Sequence, residues 1–199
     1  MQTNPSPSKP FVVPVFLPHA GCPHRCIFCN QHSTTGQEQS LPSVSAIRQT
    51  IRDFLAHRKD RTRHSEISFY GGNFLGLAPE LITLLLATAA GFVQNGEADG
   101  IRFSTRPDTI DLSRLRLIAR FPVTTVELGV QSMNDAVLQQ SQRGHTAQAV
   151  RAAVALLRAR PYALGLQMMV GLPGDTAATA LATARQIADL SPDFVRIYP

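Results

Sequence analysis

Short runs of β-branched and aromatic residues alternate with longer amphipathic stretches along almost the whole chain. Phe11 to Phe16 (FVVPVF), Glu66 to Tyr70, Ile101 to Thr105, Val123 to Val130, Ala163 to Val170 and Phe194 to Tyr198 have strand character. Pro14 suits a strand start or an edge. Between them, helical patterns run from a cap at Ser43 or Ser45 to about Arg58, from Pro79 to Val93 and from Leu112 to Arg120. Others cover Asp135 to Gln140, Thr146 to Arg158 and Ala177 to Leu190. Repeated βα units force parallel strands with right-handed crossovers, so the choice narrows to a doubly wound sheet or a barrel-type curl. An eight-fold barrel needs about 250 residues. Six units in 199 residues therefore predict an α/β partial (β/α)6 barrel, open on one side, with its site at the C-terminal ends of the strands.

Composition agrees with one globular domain: 44% of the residues are hydrophobic and 17% charged. The longest apolar run, Leu81 to Val93, is broken by Thr83 and Thr88, and it falls short of the roughly 20 residues that cross a bilayer. Met1 to Pro10 is polar, holds three prolines and lacks the apolar core of a secretory signal. The expectation is a cytoplasmic chain with no membrane association, a flexible tail over 1–10 and a core over 11–199 that lacks a closing C-terminal part. The net charge of +5 comes from Arg, since Lys9 and Lys59 are the only lysines. Its densest cluster, Arg58, Lys59, Arg61 and Arg63, reads as a solvated helix end in preference to a nucleic-acid patch.

Three cysteines fall within eight residues, Cys22, Cys26 and Cys29, spaced C-x3-C-x2-C directly after the first strand. An odd number packed this tightly is no disulfide framework. Zinc normally takes a fourth protein ligand from a second pair; His19, His24 or His32 could supply one, but no second pair exists. Three thiolates on an iron-sulfur cluster leave one iron open to a cofactor or substrate, unlike the four-cysteine electron-transfer clusters.

This loop, with the aromatic Phe28 before its last cysteine, resembles the cluster loop of the radical S-adenosylmethionine superfamily. The resemblance implies a [4Fe-4S] cluster on Cys22, Cys26 and Cys29, with S-adenosyl-L-methionine chelating the open iron. It further implies reductive cleavage to a 5'-deoxyadenosyl radical that abstracts hydrogen from a substrate, and an electron donor such as flavodoxin or ferredoxin. Gly71-Gly72-Asn73 resembles the family's methionine-binding turn, with Asn73 as the departure. The segment Glu127-Leu128-Gly129-Val130-Gln131-Ser132 closes the fourth strand; Gln131 is similar to a residue that reaches the cofactor, and Glu127 is a further cofactor-binding candidate. Arg143, twelve residues on, would pair with the methionyl carboxylate. Gln167 stands at a ribose-contacting position that is acidic in relatives, and Ser104 where relatives carry Glu. Gly171 opens the Gly-Leu-Pro-Gly loop that packs beside the adenine. Met168 and Met169 read as barrel packing.

The strings VELGVQS, RGHT and TRPD resemble the elongator catalytic subunit branch, whose substrate is transfer RNA. The shorter cysteine spacing and GLPG resemble the oxygen-independent coproporphyrinogen oxidase branch. Two alternatives stand beside the enzyme reading. One is a zinc-binding nucleic-acid module, from cysteines, histidines and positive charge. The other is a truncated barrel that binds cofactor without catalysis, from the departures at Asn73, Ser104 and Gln167.

Overall fold

The structure, a computed structural model, describes residues 9–23, 25–29 and 41–199. The expected tail therefore lies outside the described residues over 1–8, as do His24 and His32. Six strands form one sheet: β1 (Phe11–Phe16), β2 (Ser65–Tyr70), β3 (Gly100–Thr105), β4 (Val123–Gln131), β5 (Ala163–Met169) and β6 (Phe194–Tyr198). Among the described residues six helices connect them: α1 (Val44–Ala56), α2 (Pro79–Gln94), α3 (Leu112–Ile118), α4 (Asp135–Gln140), α5 (Ala147–Arg158) and α6 (Ala177–Asp189). Every neighbouring pair is parallel, and the spatial order is the sequence order, β1-β2-β3-β4-β5-β6. A doubly wound sheet reverses its strand order at a switch point. This one never reverses, so right-handed crossovers carry the helices to one face. The sheet curls into an open half-barrel.

Side-chain alternation then divides the residues between two layers. Ile67 and Phe69 of β2, Ile101 and Phe103 of β3, Val126, Leu128 and Val130 of β4, and Leu164, Leu166 and Met168 of β5 belong to the apolar core, together with Ile82, Leu85, Leu86 and Ala89 of α2. Phe74 joins them from the one-turn helix Phe74–Gly76, stacking on Phe69 at 5.1 Å and on Phe103 at 4.7 Å. The opposite set is polar and lines the barrel interior. Register aligns Ser68 with Arg102, Ser104 with Glu127, Gly129 with Gln167 and Gln167 with Arg196.

Caps place most helix starts. Ser43 accepts from the Ala46 amide and is the cap of α1, while the Ser45 hydroxyl bonds that of Ser43 at 2.9 Å. Asp111, Asn134, Thr146 and Thr176 do the same for α3 to α6. The expected elements differ mainly at their ends. Helix α1 stops at Ala56, two residues early, because Arg58 turns inward. Its guanidinium donates to Ser65 Oγ at 2.9 Å, to the Asp60 and Arg61 carbonyls and to that of Arg63. Arg63 in turn donates to the Lys9 and Pro10 carbonyls, tying down the start of β1. Half of the basic cluster is thus occupied at a helix end. Strand β4 runs one residue beyond expectation, to Gln131, where φ is +68° and the pairing with β5 shifts register.

Candidate functional site

A cavity of about 490 Å³ opens at the C-terminal ends of the strands, where a barrel of this type carries its chemistry. Cys22, Cys26, Cys29 and Phe28 line it from the loop after β1, with Gly71 and Gly72 after β2, and Ser104 and Arg106 at the end of β3. Gly129, Gln131 and Arg143 come from β4 and the segment following α4, and Gln167, Arg196 and Tyr198 from β5 and β6.

The cysteine loop is held by its neighbours through backbone contacts. Leu17 and His19 donate to the Tyr70 and Gly71 carbonyls at 2.7 and 2.9 Å, and the Asn73 amide donates to Ala20 O at 2.8 Å. On the other flank, the Ile27 amide reaches Ser141 O at 3.3 Å. A Cβ on Gly72 would lie 2.3 Å from Ala20 O, and one on Gly71, at φ +95°, 2.5 Å from the Phe16 ring. Only glycine permits the β2 turn to lie this close to the loop. Asn73 does not line the cavity. It is fully buried, donates through Nδ2 to Gly21 O at 3.0 Å, and accepts through Oδ1 from Thr105 Oγ1, the Arg106 amide and Thr109 Oγ1 at 2.8–3.0 Å. It locks the cysteine loop to the turn after β3.

Arg143, 7% exposed, points its Nη1 at Cys26 Sγ, 3.5 Å away, and donates from Nη2 to Gly129 O at 2.7 Å. Its Nε has no hydrogen-bond partner, nor does Gln131 Oε1 or Arg106 Nη1, and all three atoms are buried. Burial pushes the Cys22 thiol up, while Arg143 and Arg106 pull it down. Burial, then Arg143 and Arg106, lower the His145 imidazole to about 4. It is therefore neutral near pH 7, with Nε2 donating to Val130 O at 3.2 Å.

Beneath the cavity lies a second polar layer. Glu127, 0% exposed, accepts at Oε1 from Tyr70 Oη and Arg102 Nη1, both at 3.0 Å, and from Arg196 Nη2 at 3.2 Å. Its Oε2 accepts from Gln167 Nε2 at 2.8 Å and Arg196 Nε at 2.7 Å. Glu66 takes Arg102 at 2.5–2.8 Å and the Thr124 and Thr125 hydroxyls at 2.6 Å. Two carboxylates meet two guanidiniums, so the interior is neutral. Around the cysteines the cavity is lined by Arg25, Arg106 and Arg143, of which Arg106 is paired with Asp108, which leaves a positive excess.

Of the residues read from the sequence, the fold gathers the three cysteines, Phe28, Gly71, Gly72, Ser104, Gln131, Arg143 and Gln167 on this one cavity. Asn73 and Glu127 sit behind its walls, and Gly171 is exposed at the end of β5, outside the lining. Sequence reasoning passed over Arg106, Tyr70, Arg196 and Tyr198. Arg106 was visible within the TRPD string; the other three needed the inward alternation to be counted along β2 and β6. Among the described residues no group of three or more His, Cys, Asp or Glu side chains is gathered closely enough to hold a metal ion.

The family model of the radical SAM superfamily matches residues 16–187. A tRNA uridine(34) acetyltransferase of Dehalococcoides mccartyi is 26% identical over 89% of this chain, which spans 46% of that relative's length. Among solved structures, an Elp3 of Methanocaldococcus infernus lacking residues 1–46 superposes with a TM-score of 0.70 at 21% identity, over 96% of this chain and 46% of that one. The coproporphyrinogen III oxidase HemN of Escherichia coli gives 0.68 at 21% identity, over 97% and 44%. These two likenesses are of fold.

Proposed function

Because the chain belongs to the radical SAM superfamily, we propose that Cys22, Cys26 and Cys29 hold a [4Fe-4S] cluster beside bound S-adenosylmethionine, and that the chain is a radical enzyme. The observation that carries this reading is the convergence of three thiols and three unpartnered, buried polar atoms on one cavity. The residues fit the groups. Three cysteines leave one iron for the cofactor, and Arg143 Nε and Gln131 Oε1 present a free donor and a free acceptor beside them.

When bound, the pair supplies one-electron cleavage of a sulfonium carbon–sulfur bond and a carbon radical that takes hydrogen from the substrate. Arg143 binds the cofactor's carboxylate, a charge-assisted contact that also replaces the missing partner of its Nε. Gly71 and Gly72 bring the backbone of the β2 turn against the cofactor's methionyl end. Ser104 and Gln167 offer a hydroxyl and an amide to its ribose, in place of the acids that relatives carry. Phe16 and Phe28 keep water from the reacting centre. Tyr70, Arg196 and Tyr198 form the remaining wall, on the side left for the substrate.

A transfer RNA base is the substrate assigned, on similarity to a relative named for tRNA uridine(34). A low-potential donor such as flavodoxin or ferredoxin delivers the electron. No helix among the described residues is long and apolar enough to cross a membrane. None of the three cysteines is in a disulfide, and thiols kept reduced belong to the cytosol.

Anaerobic reconstitution is expected to load about four irons and four sulfides per chain, and dithionite with S-adenosylmethionine to yield 5'-deoxyadenosine. Cys26→Ala should lose the iron, whereas Arg143→Ala should keep it and bind the cofactor at least tenfold more weakly. A loaded chain that binds S-adenosylmethionine without cleaving it would overturn the enzyme in favour of the binding barrel. Zinc without iron would overturn both.

A further inference from the structure

Arg106 is given no role toward the cofactor above, yet it is among the largest fully buried side chains, 2% exposed, and it lines the same cavity as the three cysteines. Two of its nitrogens are engaged: Nε and Nη2 bind Asp108 Oδ1 and Oδ2, each at 2.9 Å, in a bidentate fork. The third, Nη1, is buried and has no partner. The backbone leaves the group little freedom. Its amide is tied to Asn73 Oδ1 at 3.0 Å, and Pro107 follows in a one-turn helix. A buried guanidinium held still in the wall of a ligand cavity, with one nitrogen unpartnered, is a fixed electrostatic device.

Building on the cluster assignment, we propose that Arg106, oriented by Asp108, sets the reduction potential of the cluster on Cys22, Cys26 and Cys29. Cluster potentials follow net charge, hydrogen bonds to sulfur and solvent exposure. Each electron accepted adds one negative charge beside Cys26, which is buried, and Cys22 and Cys29, which are half-buried, where a neighbouring cation is screened less than in water. Arg106 makes that addition easier, and the Asp108 carboxylate, 28% exposed, offsets part of the effect. Arg106 is a positioning and tuning residue; it touches no reacting atom.

The test is a redox titration of the reconstituted full chain with dithionite, following the reduced cluster by electron paramagnetic resonance. Arg106→Gln should disfavour reduction at least tenfold, about 59 mV for one electron, at unchanged iron and sulfide content. Asp108→Asn should shift the midpoint the opposite way, and it carries the test alone if the Arg106 variant does not fold. The exposed Arg185→Gln should leave the midpoint unmoved. Equal midpoints in Arg106→Gln and the parent, or shifts of the same sign in both variants, would overturn the proposal while leaving the cluster assignment standing. A parent chain that holds no cluster would remove that assignment and this proposal with it, and iron content tells the cases apart.

Discussion

Gly129 controls two of the cavity's side chains by having none of its own. A Cβ there would stand 2.8 Å from Arg143 Nη2 and 2.9 Å from Gln131 Nε2, both far ends of side chains that can swing away. Gly129→Ala is therefore expected to leave the fold intact and to move Arg143 and Gln131 together. Calorimetric titration of the cluster-loaded variant should show S-adenosylmethionine binding weakened at least tenfold, with the thermal midpoint within about 4 °C of the parent. Unchanged affinity would mean that neither side chain meets the cofactor. Gly21, by contrast, adopts φ +70° and would drive a Cβ to 2.3 Å from the backbone oxygen of Asn73, which cannot yield in the same way.

Helix α2 shows the reverse situation. Nothing lies within 4 Å of a Cβ built on Gly91, so Gly91→Ala should stabilise the chain by about 0.4–1 kcal/mol through the unfolded state, read from the urea midpoint at constant m. Elements of this kind were legible because their signals are local: the 3.6-residue period of α2, the cap at Ser43, and the cysteine spacing all sit within one window. What was not legible depends on residues far apart in sequence. The extra residue where β4 pairs with β3, at Thr124, is stabilised by Glu66 from 58 positions away. The one-turn helices at Phe74–Gly76 and Pro107–Thr109 flank Asn73, whose amide oxygen collects Thr105, Arg106 and Thr109. The turn residue Asn73, read as a departure within a cofactor contact, is a buried brace whose carbonyl a Glu or Thr would have to replace. No periodicity could have shown that Glu127 would be surrounded from four strands.

At the scale of the molecule, that carboxylate ties β4 to Tyr70 of β2, Arg102 of β3, Gln167 of β5 and Arg196 of β6. Arg102 is the link to Glu66, and both are nearly inaccessible. Arg102→Met leaves Glu127 with Arg196 but Glu66 with the Thr124 and Thr125 hydroxyls and, 3.9 Å away, the exposed His64 imidazole, so it should cost about 3 kcal/mol, and adding Glu66→Gln should recover part of that loss. Burial raises the Glu66 carboxyl; the Thr124 and Thr125 hydroxyls and Arg102 outweigh it and hold the group below its ordinary value of 4.5. Its contribution is complete above that value and disappears as pH falls through the lowered one. The acid limb of the stability curve should accordingly be shallower in Glu66→Gln, measured by urea titration between about pH 5 and 2.5. The unreversed strand order also sets a timetable. Each strand can pair with the one made just before it, whereas Cys26 waits for Arg143, 117 residues later. At about 5–20 residues per second of synthesis, the thiols stand roughly 6 to 23 s on the ribosome before the guanidinium that covers Cys26 exists.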